Sequence, residues 1–140
     1  MHLQYSAFLT HLLKYRVLLR RLAVCRLPAD ASVPAWATAD AFFSVTRTSG
    51  ELSIICGEEL VPDGVQAEKG WAAFQLEGPF AFSLTGVLES FLQPLAAAQI
   101  PVFAVSSFDT DYVLIKHENL ASAEGALRGA GHLRSELSDS

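Results

Sequence analysis

The sequence predicts an α+β fold in two consecutive halves, and three observations predict it. Apolar runs of strand length recur along the chain, the second half switches from strand period to helix period and back, and polar segments rich in Pro and Gly separate the runs. At 140 residues and 15.1 kDa the chain fits one domain or two small lobes on one core, and is too short for an enzyme with a separate cofactor domain. With 51% hydrophobic residues and a mean hydropathy of +0.29, it holds enough apolar surface to offset the entropy of ordering its backbone.

Residues 1–16 show weak periodicity and read as a tail or a short helix. Val17 to Leu27 is β-compatible and closes at Pro28. Pro34 to Thr38 is long enough for barely one helical turn. Phe42 to Thr48 and Leu52 to Cys56 flank Ser49-Gly50-Glu51 and predict a hairpin. Glu58 to Lys69, with Pro62 and Asp63-Gly64, predicts a connection between the halves.

In the second half, Trp71 to Leu76 predicts a strand ending at Gly78-Pro79. Leu84, Val87, Leu88, Phe91, Leu92 and Leu95 then form one continuous helix face, with Ser83 placed as N-cap and Pro94 removing a backbone donor near the end. Val102 to Phe108 and Tyr112 to Lys116 predict antiparallel neighbours joined at Asp109-Thr110-Asp111. Asn119 to Ala130 predicts a second helix stopped by Gly131, leaving 132–140 as a frayed tail.

The order is therefore βαββ followed by βαββα, the ferredoxin-like arrangement written twice, with antiparallel sheets and helices on one face. Residues 17–66 form a first lobe and 67–132 a second, with 133–140 beyond them. With no strand after the last helix, the missing edge strand is expected from the first half or from a second chain, and a homodimer would cover an open edge.

Net charge is −5, which argues against a nucleic-acid partner. Residues 1–26 hold five basic residues, Lys14, Arg16, Arg20, Arg21 and Arg26, and no acid, so all fifteen acidic residues follow them. Such a start suits either an acidic surface or a solvated edge strand flanked by arginines. Cys25 and Cys56 lie in apolar runs without a C-x-x-C pair or a His at metal spacing, which predicts reduced core thiols and no metal or cofactor. No run reaches membrane-span length and the start does not resemble a signal peptide, so a cytoplasmic protein is expected, with no membrane partner.

The segments Glu77-Gly78-Pro79-Phe80-Ala81-Phe82-Ser83-Leu84-Thr85-Gly86-Val87-Leu88, Pro94-Leu95 and Ser106-Ser107-Phe108-Asp109-Thr110-Asp111-Tyr112-Val113-Leu114 resemble the ACT-domain family. The likeness extends to Phe42–Thr48 in the first lobe and covers about residues 18 to 132. It is nearest to small bacterial tandem-ACT proteins and more remote to cytosolic arginine sensors and the regulatory region of aspartate kinases. The resemblance implies a tandem ACT fold and a non-catalytic regulatory module in which a small molecule, an amino acid for choice, biases association of ACT units or of a regulated protein partner.

Residue chemistry supports such a site. A helix start at Ser83, Leu84, Thr85 and Gly86 offers unpaired N–H groups to a carboxylate, and Gly86 allows close approach. Asp109 or Asp111 would hold the ammonium group, Ser106, Ser107 and Thr110 add hydroxyls, and Phe80, Phe82 and Phe108 wall the pocket. Val102 begins the strand that contributes backbone contacts in relatives, and Pro101 before it has no N–H to give. Asp-Thr-Asp is also ordinary turn chemistry, and Ser83 an ordinary cap. The alternative is therefore a dimerising, protein-interaction domain that has lost its ligand. Catalysis lacks a marked nucleophile, since His2, His11, His117 and His132 stand apart from each other and from both cysteines.

Overall fold

The computed structural model describes residues 11–78, 80 and 85–135. Its elements are β1 (Lys14–Leu27), β2 (Ser44–Arg47), β3 (Leu52–Gly57), β4 (Gln66–Leu76), α1 (Val87–Ala97), β5 (Phe103–Ser106), β6 (Asp111–Lys116), α2 (Leu120–Gly129) and β7 (Leu133–Arg134), with short 3-10 turns at 35–38, 58–60 and 117–119. Together the strands make one seven-stranded sheet rather than several. Its order is β2-β3-β1-β4-β6-β5, with β7 beside β1, and every pairing is antiparallel except the parallel β1–β7 ladder.

The two central strands are long because each serves both ends of the sheet. The first half of β1 pairs with β4 through Tyr15↔Leu76 to Leu18↔Ala73, and its second half lies between β3 and β4. Between these stretches the register slips: Leu18 faces Ala73 but Leu22 faces Trp71, so four steps along β1 span two along β4. Leu19, Arg20 and Arg21 emerge into solvent at this bulge. The slip is partly reversed where Gly70, at φ +84°, places an extra residue in β4 between Trp71 and Glu68.

Several expected boundaries change. β1 begins at Lys14, inside the predicted tail, and β4 begins at Gln66, inside the predicted connection. The strand that the second half lacks comes from the first half: β1 lies beside β4. The expected frayed tail contributes Leu133–Arg134 as β7 on Lys14–Tyr15. Where the first half is expected to hold one stunted helix, it forms a 3-10 turn at 35–38, because Pro34 to Thr38 supplies one turn of chain. The β2–β3 hairpin forms as predicted, with Thr46 opposite Ser53. The arginines of β1 flank a central strand, not an edge, and are occupied within the chain. Arg16 lies 3.8 Å from Glu77, Arg20 pairs with Asp40 and Glu59, and Arg26 donates to the Gly50 carbonyl.

One face of the sheet is covered by α1 and α2. There Tyr15, Val17, Phe74, Leu76, Phe91, Leu95, Val113, Ile115, Ala123 and Leu127 are buried together, in the alternation that strand and helix periods require. Farther along that face, the 35–38 turn and Val61 cover Ala23, Cys25, Leu52, Ile54 and Cys56. Among the described residues no helix covers the opposite face. The Phe42 and Tyr112 rings meet at 4.7 Å, and residues of both edge strands, β2 and β5, line a single cleft of about 410 Å³.

Both cysteines are buried free thiols, as expected of core residues. Burial, then the neighbouring Cys25, pushes the Cys56 thiol from 9.0 up to about 11, and burial raises Cys25 as well. A raised pKa means that the folded state favours the neutral thiol. Its contribution is whole below pH 9 and is lost as pH rises toward 11. We therefore expect native protein to resist iodoacetamide at pH 8 while urea-unfolded protein reacts fully, and urea midpoints to fall between pH 9 and 11. Equal alkylation rates in the two states would contradict this burial.

Candidate functional site

Two chain reversals converge at one end of the sheet. The first leads into α1. Its N-cap is Gly86, at φ +80°, a left-handed conformation that side chains rarely adopt and that turns the chain onto the helix axis. Among the described residues no side chain caps the helix, and its first internal bond runs from the Ser90 N–H to the Gly86 carbonyl at 2.9 Å. The amides of Val87, Leu88 and Glu89 thus have no partner inside the helix and carry the positive end of its dipole. Thr85, just before, is exposed, and its carbonyl lies 2.9 Å from His11 Nε2.

The second reversal joins β5 to β6. The Ser107 N–H donates to the Thr110 carbonyl at 2.8 Å, and the Thr110 N–H donates to Ser107 Oγ at 3.3 Å, closing a tight turn. Thr110 is buried, and its hydroxyl donates to the Leu76 carbonyl at 2.6 Å, tying the turn to the end of β4. The Phe80 N–H donates to the Asp109 carbonyl at 3.0 Å, so the approach to α1 is docked on the same turn. The Ser106 hydroxyl donates to Asp111 Oδ1 at 2.5 Å, which orients that carboxylate.

Between the reversals lies a cleft of about 370 Å³. Gly86 to Glu89 form one wall, Ser106 to Asp111 the other, and Phe80 lies between them. It sets a helix N-terminus against two carboxylates, so one end suits an anion and the other a cation. The acidic side has an effect already in the protein: burial, then the charge of Asp109, pushes the pKa of the Tyr112 hydroxyl up, so that it ionises less readily than a free phenol.

Of the residues expected at a ligand site, Gly86, Ser107, Phe108, Asp109, Thr110 and Asp111 are brought together here. Thr110 is engaged in holding the turn, and Phe108 is 78% exposed, at the rim. Thr85 precedes the wall and Val102 does not line it, because the cleft takes the far end of β5, at Ser106, four residues on. Ser83 and Leu84, with Phe82, lie outside the described residues. The helix begins three residues later than its apolar period, so the amides at the site are those of Val87, Leu88 and Glu89. Sequence reasoning did not find them, because periodicity continues through a residue whose backbone is left-handed. Nor did it find His11, whose contact spans 74 residues. Among the described residues, no three His, Cys, Asp or Glu gather as a metal site and no helix is long and apolar enough to cross a membrane.

Comparison with known proteins bears on the fold. Residues 66–129 match the family model of the ACT domain, and residues 21–64 match that of an N-terminal domain. Protein Atu0741 from Agobacterium tumefaciens is 36% identical over 94% of this chain and 99% of its own, with a TM-score of 0.85. The protein of unknown function VC0802 from Vibrio cholerae is 13% identical, with 86% of this chain and 91% of that one covered and a TM-score of 0.70. The regulatory subunit of aspartate kinase from Thermus thermophilus, in its ligand-free form, is 14% identical at a TM-score of 0.56, over 84% of this chain and 93% of that one. The last two likenesses are of fold alone.

Proposed function

We propose, from the premise that this chain belongs to the ACT-domain family and is a regulatory module, that it binds a small amino acid in the cleft between α1 and the β5–β6 turn. The observation that carries this reading is the opposition of the Gly86–Glu89 helix start to Asp109 and Asp111 across about 370 Å³. The ligand carboxylate would take the amides of Val87 to Glu89, and its ammonium group would meet Asp109, with Asp111 held nearby by Ser106. The chemistry is binding without catalysis. Occupancy would act through a homodimer or a regulated partner, with 17–66 and 67–132 as two ACT-like lobes sharing the sheet.

A ligand that binds only the native state raises stability by RT ln(1 + [L]/Kd), about 2.7 kcal/mol at one hundred times Kd. At least one of the twenty amino acids at millimolar concentration is therefore expected to raise the melting temperature. Asp109→Ala and Asp111→Ala should each remove that shift while leaving the unliganded melting temperature within about 2 °C, as surface changes near ±0.5 kcal/mol do. No shift with any amino acid, together with a dimer by size measurement, would replace this reading with that of a protein-interaction domain.

A further inference from the structure

We infer that His132 is the positioning residue of the proposed site: it takes the backbone carbonyl that Pro94 leaves free in α1 and fastens the first turns of that helix to the start of β1. In an α-helix the carbonyl of residue 90 accepts from the N–H of residue 94, and here residue 94 is proline, buried inside α1 and without an N–H. The Ser90 carbonyl would be an orphan on a residue that is itself buried. His132 Nε2 lies 2.9 Å from it. On the other side of the ring, Nδ1 lies 3.1 Å from the Leu13 amide nitrogen. A backbone N–H can only donate, so Nδ1 is the acceptor, and the proton sits on Nε2, where it is donated to Ser90.

The surroundings allow the ring one place. His132 is 1% exposed and packs on Phe91 at 5.5 Å between centroids. Its own N–H donates to the Leu127 carbonyl at 3.0 Å after the chain reverses at Gly131, which turns residue 132 back under α2. The His11 N–H adds a contact of 3.0 Å to Ser90 Oγ. Residues 11, 13 and 132 thus grip Thr85 and Ser90, which bracket the Gly86–Glu89 wall of the cleft. One imidazole joins the proposed ligand seat to β1 and to the turn that leads into β7. Its coupling to ligand rests on the reading given under Proposed function; the grip itself does not.

The test is amide hydrogen exchange by NMR on the full chain without ligand. His132→Phe keeps a ring against Phe91 and removes both bonds, and the hydrogen-bonded amides of Leu13 and Ser90 should then exchange at least tenfold faster. His132→Gln retains a donor and should recover part of the protection at Ser90. Adding Pro94→Ala to His132→Phe gives the Ser90 carbonyl a helix partner, so protection should return within α1 but not at Leu13. In the unaltered protein, nitrogen shifts should report a proton on Nε2 and none on Nδ1. Unchanged exchange in His132→Phe, or a proton on Nδ1, would overturn the inference. If His132→Phe does not fold, the glutamine variant and the nitrogen shifts still decide it. Each of the twenty amino acids, tested on His132→Gln, should lose at least threefold in affinity where the unaltered protein binds it. Undiminished affinity would overturn the coupling alone, and a silent unaltered protein would overturn the ligand reading, leaving the grip to the exchange data.

Discussion

Phe91→Ala should lower the free energy of unfolding by about 3–5 kcal/mol, the range for emptying a well-packed aromatic site. The ring is fully buried at the crossing of α1 and the sheet. It meets Tyr15 at 5.5 Å, Phe74 at 5.7 Å and His132 at 5.5 Å, edge-on to the first two. Collapse into the vacated space is opposed on each side. The Tyr15 hydroxyl donates to Glu124 at 2.8 Å, Glu124 pairs with Arg134 at 3.2 Å, and His132 is held by two backbone groups. The cavity term therefore stays close to its full size. Domains of this kind hold about 5–15 kcal/mol in total, so the variant should be near the limit of folding at 37 °C. The urea midpoint should fall sharply at an unchanged m-value, with Phe91→Leu intermediate. A loss below about 1 kcal/mol would mean that the four rings do not form the centre of the core.

How much of this could be seen in the sequence depends on where each residue's partner lies. α1, α2, the β2–β3 hairpin and the β5–β6 turn are local, and their periods and turn residues place them along the chain, all but the start of α1. The outer ends of β1 and β7 are not local: Lys14 pairs with Leu133 across almost the whole chain, and Leu133–Arg134 is too short to show an alternation of its own. β7 becomes a strand because β1 is its neighbour, while the outer end of β1 also pairs with the end of β4 through Tyr15↔Leu76. The same holds at the site. Asp109, Thr110 and Asp111 were legible as a turn with chemistry. The start of α1 was placed three residues early because Leu84 fits the helix face, while the left-handed backbone at Gly86 leaves no trace in hydrophobic pattern. Pro94 was legible as a missing donor, but its consequence was not, since the group that answers it is His132, which by position belongs to a tail.

Gly78→Ala should remove the amino-acid response with a smaller loss of stability, about 1–3 kcal/mol, the usual cost of overpacking. A β-carbon at this position would stand 2.7 Å from the Asp109 carbonyl oxygen and 3.2 Å from the Phe80 nitrogen, both backbone atoms that cannot rotate away. These two atoms also make the hydrogen bond that docks the approach to α1 on the β5–β6 turn. To relieve the contact, the turn must part from Gly78 and Phe80 by several tenths of an ångström or more. Thr110 resists by its bond to Leu76, so the strain falls on Asp109 and Phe80, beside the acidic wall. The cleft then loses the spacing between helix start and carboxylate on which recognition of both ends of an amino acid depends. Gly125→Ala makes a suitable control, because a β-carbon there meets nothing within 4 Å and a helix interior gains about 0.5–1 kcal/mol from the exchange. The pair should therefore move in opposite directions by thermal melting, with the ligand shift kept in Gly125→Ala and lost in Gly78→Ala. A full shift in Gly78→Ala would show that the Phe80–Asp109 docking does not shape the binding wall.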